Sequence, residues 1–282
     1  MVTNIKKIAI IGSEGVVGKA ITKLFNQHYI LIKKDPALNK ASASWNEINS
    51  CELSIVTVPT PMSKDKSCDI SIVEKVINNI ETPLTLIKST IAPGTTDYLK
   101  TKYNKKICFS PEYAGESKYY TPPEYPNPTN MIQHSFMVVG GEKKDRKNII
   151  DIFAPVLGPT KKYYQCTAKE AELIKYAENT FFATKVTFVN ELKKICDAVG
   201  VDFYTVREGW LLDSRINPNH TMVFDNNFGW SGKCFPKDIC AFIKNSVQYG
   251  YRPEFLIDVV KANARHSNQK EMQDLPKAFK NR

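Results

Sequence analysis

Ile8-Ala9-Ile10-Ile11-Gly12-Ser13-Glu14-Gly15-Val16-Val17-Gly18 decides how the chain is read. The opening run is short, continuous and apolar, as expected of a strand buried on both faces. Three glycines follow, and then Ala20, Ile21, Leu24 and Phe25 recur at helical spacing. Strand, glycine turn and helix form the context in which such glycines bind a dinucleotide, because the pyrophosphate meets free N–H groups at the helix N-terminus. Gly12, Gly15, Val17 and Gly18 are the candidate contacts. The next strand, Tyr29-Ile30-Leu31-Ile32, leads to Asp35, placed where an acid binds the adenosine ribose hydroxyls. Asp35 favours NAD, although Lys33 and Lys34 leave room for a 2′-phosphate. The first two glycines stand one residue further apart than in Gly-x-Gly-x-x-Gly, and Glu14 puts an acid in the phosphate loop; the expected outcome is a reshaped loop with Glu14 turned to solvent.

The alternation continues through a strand at Leu53-Ser54-Ile55-Val56-Thr57-Val58, a helix over 70–80, and strands at Leu84-Thr85-Leu86-Ile87-Lys88, Lys106-Ile107-Cys108-Phe109 and Ser135-Phe136-Met137-Val138-Val139-Gly140-Gly141. Repeated strand–helix units predict an α/β fold, a doubly wound Rossmann-type sheet with right-handed crossovers. Ligands of such sheets sit beyond the carboxyl ends of the strands. Pro59-Thr60, Ser89-Thr90 and the stretch from Glu112 to Glu116 all fall at such ends. Each alone could be a turn or cap; three in succession argue for a site. The proline- and tyrosine-rich residues 119–134 form a long connection, either a lid or a surface excursion.

Composition sets the outer bounds. The chain has 282 residues and a formal net charge of +10, enough length for two ordinary domains and a charge that suits anionic partners. The lysines are spread out, with only short pairs such as Lys161-Lys162, so a nucleotide-type ligand fits better than a nucleic-acid surface. No run approaches a membrane span, and the N-terminus passes into a strand without an apolar leader, so a cytoplasmic protein is expected. Seven scattered cysteines without a Cys-x-x-Cys pair speak against a disulfide framework or a zinc or other metal site.

After Cys166 the pattern becomes one long helix. Thr167-Ala168-Lys169-Glu170 has capping-box form, and Ala171, Ile174, Ala177, Phe181, Val189, Leu192, Ile195 and Val199 recur up to Gly200. Roughly 33 residues give a helix of about 50 Å, long enough to carry an interdomain or subunit contact. Residues 1–165 are therefore read as a dinucleotide-binding domain, and 166–282 as an all-helical domain with one long central helix. Lys175 and Asn179 share a face of that helix, which alone would pass for a solvated pair. A helix over 204–212 precedes Asp213-Ser214-Arg215-Ile216; residues 238–263 are mainly helical, and 265–282 look frayed. Between them lies Phe228-Gly229-Trp230-Ser231-Gly232-Lys233-Cys234-Phe235-Pro236-Lys237-Asp238. A thiol near lysines is a candidate nucleophile, and Asp238, one turn beyond it, could hold or activate water. Read alone, the stretch is equally a buried structural cysteine in a glycine-rich turn.

Taken together, Val58-Pro59-Thr60-Pro61, Lys88-Ser89-Thr90-Ile91-Ala92-Pro93-Gly94, Ser110-Pro111-Glu112-Tyr113, Glu172-Leu173-Ile174-Lys175-Tyr176-Ala177-Glu178-Asn179-Thr180, Asn190-Glu191, Asp213-Ser214-Arg215-Ile216 and the Cys234 stretch resemble, in order, the UDP-glucose/GDP-mannose dehydrogenase family. The likeness covers nearly the whole chain. It implies an oxidoreductase that uses NAD twice on the C6 alcohol of a sugar nucleotide, UDP-glucose to UDP-glucuronate being the expected pair. Cys234 would carry a thiohemiacetal and then a thioester. Lys175 and Asn179 would stabilise the oxyanion, and Asp238, Glu112 and Thr90 would serve as acid, base or water-holding groups. The resemblance places Thr60, Thr90, Glu116 and Lys237 on the cofactor. It places Glu112, Tyr113, Lys175, Asn179, Phe228, Gly229, Gly232 and, from a neighbouring subunit, Arg215 on the substrate; a homodimer built on the long helix is implied. Ser231 departs from the family's usual glycine, Lys233 directly precedes the thiol, and residues 119–135 replace a shorter connection. Full-length members carry a third, nucleotide-binding α/β domain, expected to be lacking from this chain. Two other readings stay open: a non-catalytic NAD-binding partner of a full-length dehydrogenase, and a two-electron hydroxy-acid dehydrogenase that needs no cysteine.

Overall fold

The computed structural model describes residues 7–113, 130–224 and 227–279. The chain forms two compact units, one of Met1–Pro61 with Asp69–Lys175 and one of Met62–Cys68 with Tyr176–Arg282. In the first unit, β1 (Lys7–Ile11), α1 (Val16–Phe25), β2 (Ile30–Lys34), α2 (Trp45–Asn49), β3 (Leu53–Val56), α3 (Ser71–Asn79), β4 (Thr85–Ile87), α4 (Thr95–Tyr103) and β5 (Ile107–Phe109) alternate as expected. They are followed by β6 (Phe136–Gly140), α5 (Lys143–Leu157), β7 (Lys162–Cys166) and the start of α6 (Ala168–Val199).

The sheet runs in the order β2-β1-β3-β4-β5-β6-β7. Its inner strands β1 and β3–β6 are buried on both faces, and the period of two sends successive residues to opposite layers. Ile8, Ile10, Leu53, Ile55, Leu86 and Cys108 pack with Ile21, Phe25 and Phe153 on one side. Ala9, Ile11, Val56, Ile87, Ile107 and Phe109 pack with Val73, Ile77 and Leu99 on the other. This is the doubly wound architecture, with two differences from the sequence reading. β6 meets β5 antiparallel, and β7, a fully paired parallel edge strand, was not foreseen. Its sequence, KYYQC, is largely exposed, so it carries no apolar run to announce it.

The second unit holds the rest of α6 with α7 (Phe203–Trp210), α8 (Phe235–Gln248), α9 (Glu254–His266) and α10 (Lys270–Asp274). Ala183, Trp230, Ile239, Ile243, Ile257, Val260, Met272, Leu275 and Phe279 share one core. The expectation of a frayed tail after residue 265 is thus corrected through residue 279: α10 and the 3-10 turn Leu275–Phe279 bury Met272, Leu275 and Phe279. The elements are too short for periodicity to reveal, but three large apolar residues suffice to dock them. The unit boundary lies inside α6, after Lys175, rather than at residue 165. Ala171 belongs to the first unit's core, and a Cβ on Gly140 would come within 2.6 Å of its side chain. Among the described residues no helix is long and apolar enough to cross a membrane.

Candidate active site

In the first unit the glycine loop is shaped by close backbone approaches. A Cβ on Gly12, at φ +89°, would lie 2.7 Å from the Thr57 carbonyl oxygen, and one on Gly18 only 2.1 Å from the Gly12 oxygen. Gly15 is exposed and caps α1 without a side-chain bond, which leaves the first-turn amides near Val17 available to an anion. Asp35 accepts the backbone N–H groups of Glu14 at 3.0 Å and Ala37 at 2.9 Å. The extra loop residue is absorbed there. Glu14 is half-buried and receives the Ser13 hydroxyl, which corrects the expectation that it turns out to solvent. Uncapped amides, close-approach glycines and an acceptor at the end of β2 fit a dinucleotide.

At the carboxyl ends of β3, β4 and β5 the candidate residues are tied into one framework. The Thr60 hydroxyl donates to the Thr90 carbonyl at 2.7 Å. Lys88 is buried, and its ammonium donates to the Ser110 carbonyl and hydroxyl and to the Pro111 carbonyl at 3.2–3.3 Å. Burial pulls its pKa down to about 8, against the opposing charge of Glu112 and together with that of Lys175. Lys88, Glu112 and Tyr113 line a cavity of about 20 Å³, room for about one water. Lys175 Nζ sits 5.1 Å from the centroid of the Tyr113 ring, so Glu112, Tyr113 and Lys175 do converge on one region. Read from its helix face alone Lys175 would pass for a solvated residue, but it is 8% exposed. Glu116 lies outside the described residues.

In the second unit Cys234 is the N-cap of α8, where the helix dipole favours a negative sulfur. All seven cysteines are described and none forms a disulfide; Cys234 is the exposed one. Burial raises the Cys51 thiol to about 11 and those of Cys108 and Cys240 to about 12, which makes them inert. Asp238 is 1% exposed. One of its oxygens accepts the Asn179 amide at 2.5 Å, and the other accepts the Lys237 ammonium. Lys237, expected on the cofactor, is thus also a partner of Asp238.

The loop before Cys234 is held by three side chains that sequence reading did not single out as site residues. Asn190 accepts Gly229 N–H at 3.0 Å. Asn263 accepts Trp230 N–H at 2.8 Å and donates to its carbonyl at 3.0 Å. Thr187 accepts the Trp230 indole N–H at 2.9 Å. Gly229, at φ +76°, brings its backbone against Asn263, where a Cβ would lie 2.4 Å from Oδ1. Phe228 packs against the Val189, Cys196, Phe203 and Val223 cluster. Gly232, at φ +82°, faces open space. Arg215 is exposed and bound to Asp213, so its own side chain makes its bond locally. Glu172, quoted above only within a motif, is another residue missed: it is fully buried, and desolvation lifts its pKa to about 7 against three hydrogen bonds from Thr96 and Gly94. A carboxylate in phase with the buried positions of a helix was the available signal.

The NAD-binding domain of the UDP-glucose/GDP-mannose dehydrogenase family matches residues 30–156, and that family's central domain matches residues 169–265. UDP-glucose 6-dehydrogenase of Rickettsia felis is 30% identical over 229 residues, which cover 77% of this chain and 49% of that protein. UDP-glucose 6-dehydrogenase AglM of Haloferax volcanii is 30% identical over 247 residues, with 79% and 55% covered. The chain spans about half the length of these curated relatives. The structure of a UDP-glucose dehydrogenase from Pyrobaculum islandicum shares the fold, with a TM-score of 0.79 and 23% identity over 93% of this chain and 68% of that one. The cofactor of the first unit is NAD, and the chain belongs to the UDP-glucose/GDP-mannose dehydrogenase family.

Proposed function

We propose that the chain oxidises the C6 alcohol of a sugar nucleotide to a carboxylate in two NAD-dependent steps, with UDP-glucose giving UDP-glucuronate. The carrying observation is Cys234: an exposed thiol at a helix N-terminus, with Asp238 buried one turn beyond and held on both oxygens. Bound NAD⁺ supplies a hydride acceptor in each oxidation. In the first, the C6 hydroxyl gives up its proton to a carboxylate or ordered water, with Glu112 and Thr90 as the strand-end groups that hold it. The aldehyde accepts the Cys234 thiolate to form a thiohemiacetal oxyanion, and transfer of its C6 hydride to the second NAD⁺ yields a thioester. Water held by Asp238 adds to the thioester carbon, the thiolate leaves, and the carboxylate is released. Lys175 and Asn179 donate to the oxygen that carries negative charge at each addition.

The long helix supports a homodimer. Phe181, Phe188 and Ile195 lie seven residues apart and are 52–61% exposed, a stripe that a second copy would cover. Arg215, exposed and bound to Asp213, would then exchange that partner for the neighbouring subunit's substrate. A cytoplasmic location is part of the same reading, and seven cysteines without a disulfide are compatible with a reducing compartment.

The test is incubation with NAD⁺ and a panel of sugar nucleotides, with NADH counted against product identified by mass spectrometry. Two NADH per uronic acid are expected, with no acid formed by Cys234→Ala. One NADH per product, unchanged by that substitution, would identify a two-electron dehydrogenase. NAD binding without turnover across the panel would identify a non-catalytic binding module.

A further inference from the structure

Glu172 joins two pieces of the first unit that each carry a candidate catalytic group. It lies on α6 three residues before Lys175 and is fully buried. Its carboxylate accepts Gly94 N–H at 2.6 Å, Thr96 N–H at 2.7 Å and the Thr96 hydroxyl at 2.5 Å. Those donors open α4, at the end of the connection that begins with Ser89 and Thr90. The near end of that connection is fixed by Thr60, through the Thr90 carbonyl. Thr95 Oγ1 closes the turn on the Ala92 carbonyl at 2.6 Å.

Three donors converge on the two oxygens of one carboxyl group, a demand that a glutamine cannot meet without aiming its own N–H₂ at a donor. Burying a carboxylate is also costly compared with burying an apolar side chain of similar size. A leucine would suffice merely to dock the helix, so the carboxylate's distinctive contribution is geometric. Three hydrogen bonds fix both the roll and the axial setting of α6. Since each residue rises 1.5 Å in a rigid helix, the direction of Lys175 follows directly.

We propose that Glu172 is a positioning residue: by locking α6 to the opening of α4 it holds Lys175 and the Thr90 connection in one fixed register. Its catalytic consequence rests on the dehydrogenase reading above; its structural consequence does not. The experiment compares wild type with Glu172→Gln, Thr96→Val and Thr96→Ser. Glu170→Gln is the control: it makes the same carboxylate-to-amide change at the same end of α6, where the glutamine oxygen can still accept from Thr167, and it leaves Gly94 and Thr96 alone. Two readouts are taken: kcat and KM for UDP-glucose and NAD⁺, and the rate at which an N-hydroxysuccinimide ester acylates Lys175, followed by peptide mass spectrometry.

Glu172→Gln is expected to lower kcat by about tenfold or more, since small misplacements of a positioned group cost that much. KM for NAD⁺ should stay within about twofold, and Lys175 should acylate several-fold faster. Thr96→Val should move both readouts the same way by less, while Thr96→Ser, which keeps the hydroxyl, and Glu170→Gln should match wild type. Unchanged acylation of Lys175 in Glu172→Gln, or equal changes in Glu170→Gln, would overturn the assignment. If Glu172→Gln does not fold, the Thr96→Val and Thr96→Ser pair decides the same point. Absence of NADH from wild type sinks the dehydrogenase reading alone, and the acylation rates still judge Glu172.

Discussion

The two faces of α6 depart from the usual arrangement of an amphipathic helix, because polar residues join Ala171, Tyr176, Ala183 and Val189 on the buried side. The buried face carries Glu172, Lys175, Asn179, Thr180, Thr187 and Asn190, all at most 8% exposed. The outer face shows Phe181, Phe188, Ile195 and Val199, the last 70% exposed. Burying polar groups is tolerable only when each finds partners. Glu172 is bonded to α4, Asn179 to Asp238, Thr187 to Trp230 and Asn190 to Gly229. Apolar residues left outside need no such partners, yet their alignment asks for a cover. The inner face therefore holds groups in place, while the outer face is spare area for assembly. A helix that only needed to be stable would have arranged them the other way round.

The largest effect is expected from Lys175→Met, which keeps the length of the side chain and removes its charge. If the inner face serves chemistry, kcat should fall by about 10²- to 10³-fold, the loss typical of one oxyanion donor, with NAD affinity by calorimetry unchanged. A fall below threefold would break the comparison at its functional end. Asn190→Ala comes next. It leaves the Gly229 N–H without its acceptor, and urea unfolding should show a loss of about 2 kcal/mol, with turnover reduced through the Cys234 loop.

Thr187→Val preserves shape and removes only the acceptor of the Trp230 indole. About 1 kcal/mol of stability should be lost, and the Trp230 emission should shift. Ile195→Ser, on the outer face, is expected to change the stability of the isolated subunit by about 0.5 kcal/mol or less, while sedimentation detects a weaker dimer. Should it destabilise the subunit as much as Asn190→Ala does, the outer face is packed within the chain and the contrast fails.

The same helix shows what was legible in the sequence. Its length, its start at the Thr167–Glu170 box and its end near Gly200 were all readable, because capping chemistry and helix period are local. Its orientation was not. Of the apolar positions in the period, Ala177, Phe181, Ile195 and Val199 are exposed while Ala171 and Val189 are buried, so the period did not single out the inward face; burial of a polar residue depends on partners supplied from far along the chain. The strand–helix alternation and the strand ends bearing Thr60, Thr90 and Glu112 were legible for the opposite reason: continuous β-branched runs have few other uses. β7 escaped because an exposed edge strand of lysine, tyrosine and glutamine is recognisable only by the neighbour it pairs with. Asn263, which grips Trp230, lies 33 residues away from it, beyond any spacing rule.

The division between the two units within α6 bears on how the protein can be taken apart. A fragment ending at residue 165 would seem natural from the change in pattern there, yet it would strip Ala171 from the first unit's core and leave the Gly94 and Thr96 amides without their carboxylate. A fragment carried past Lys175 keeps both. Recombination, whether by experiment or by evolution, is thereby restricted: the NAD-binding unit can be exchanged between relatives only if it brings the opening turns of α6 along with it.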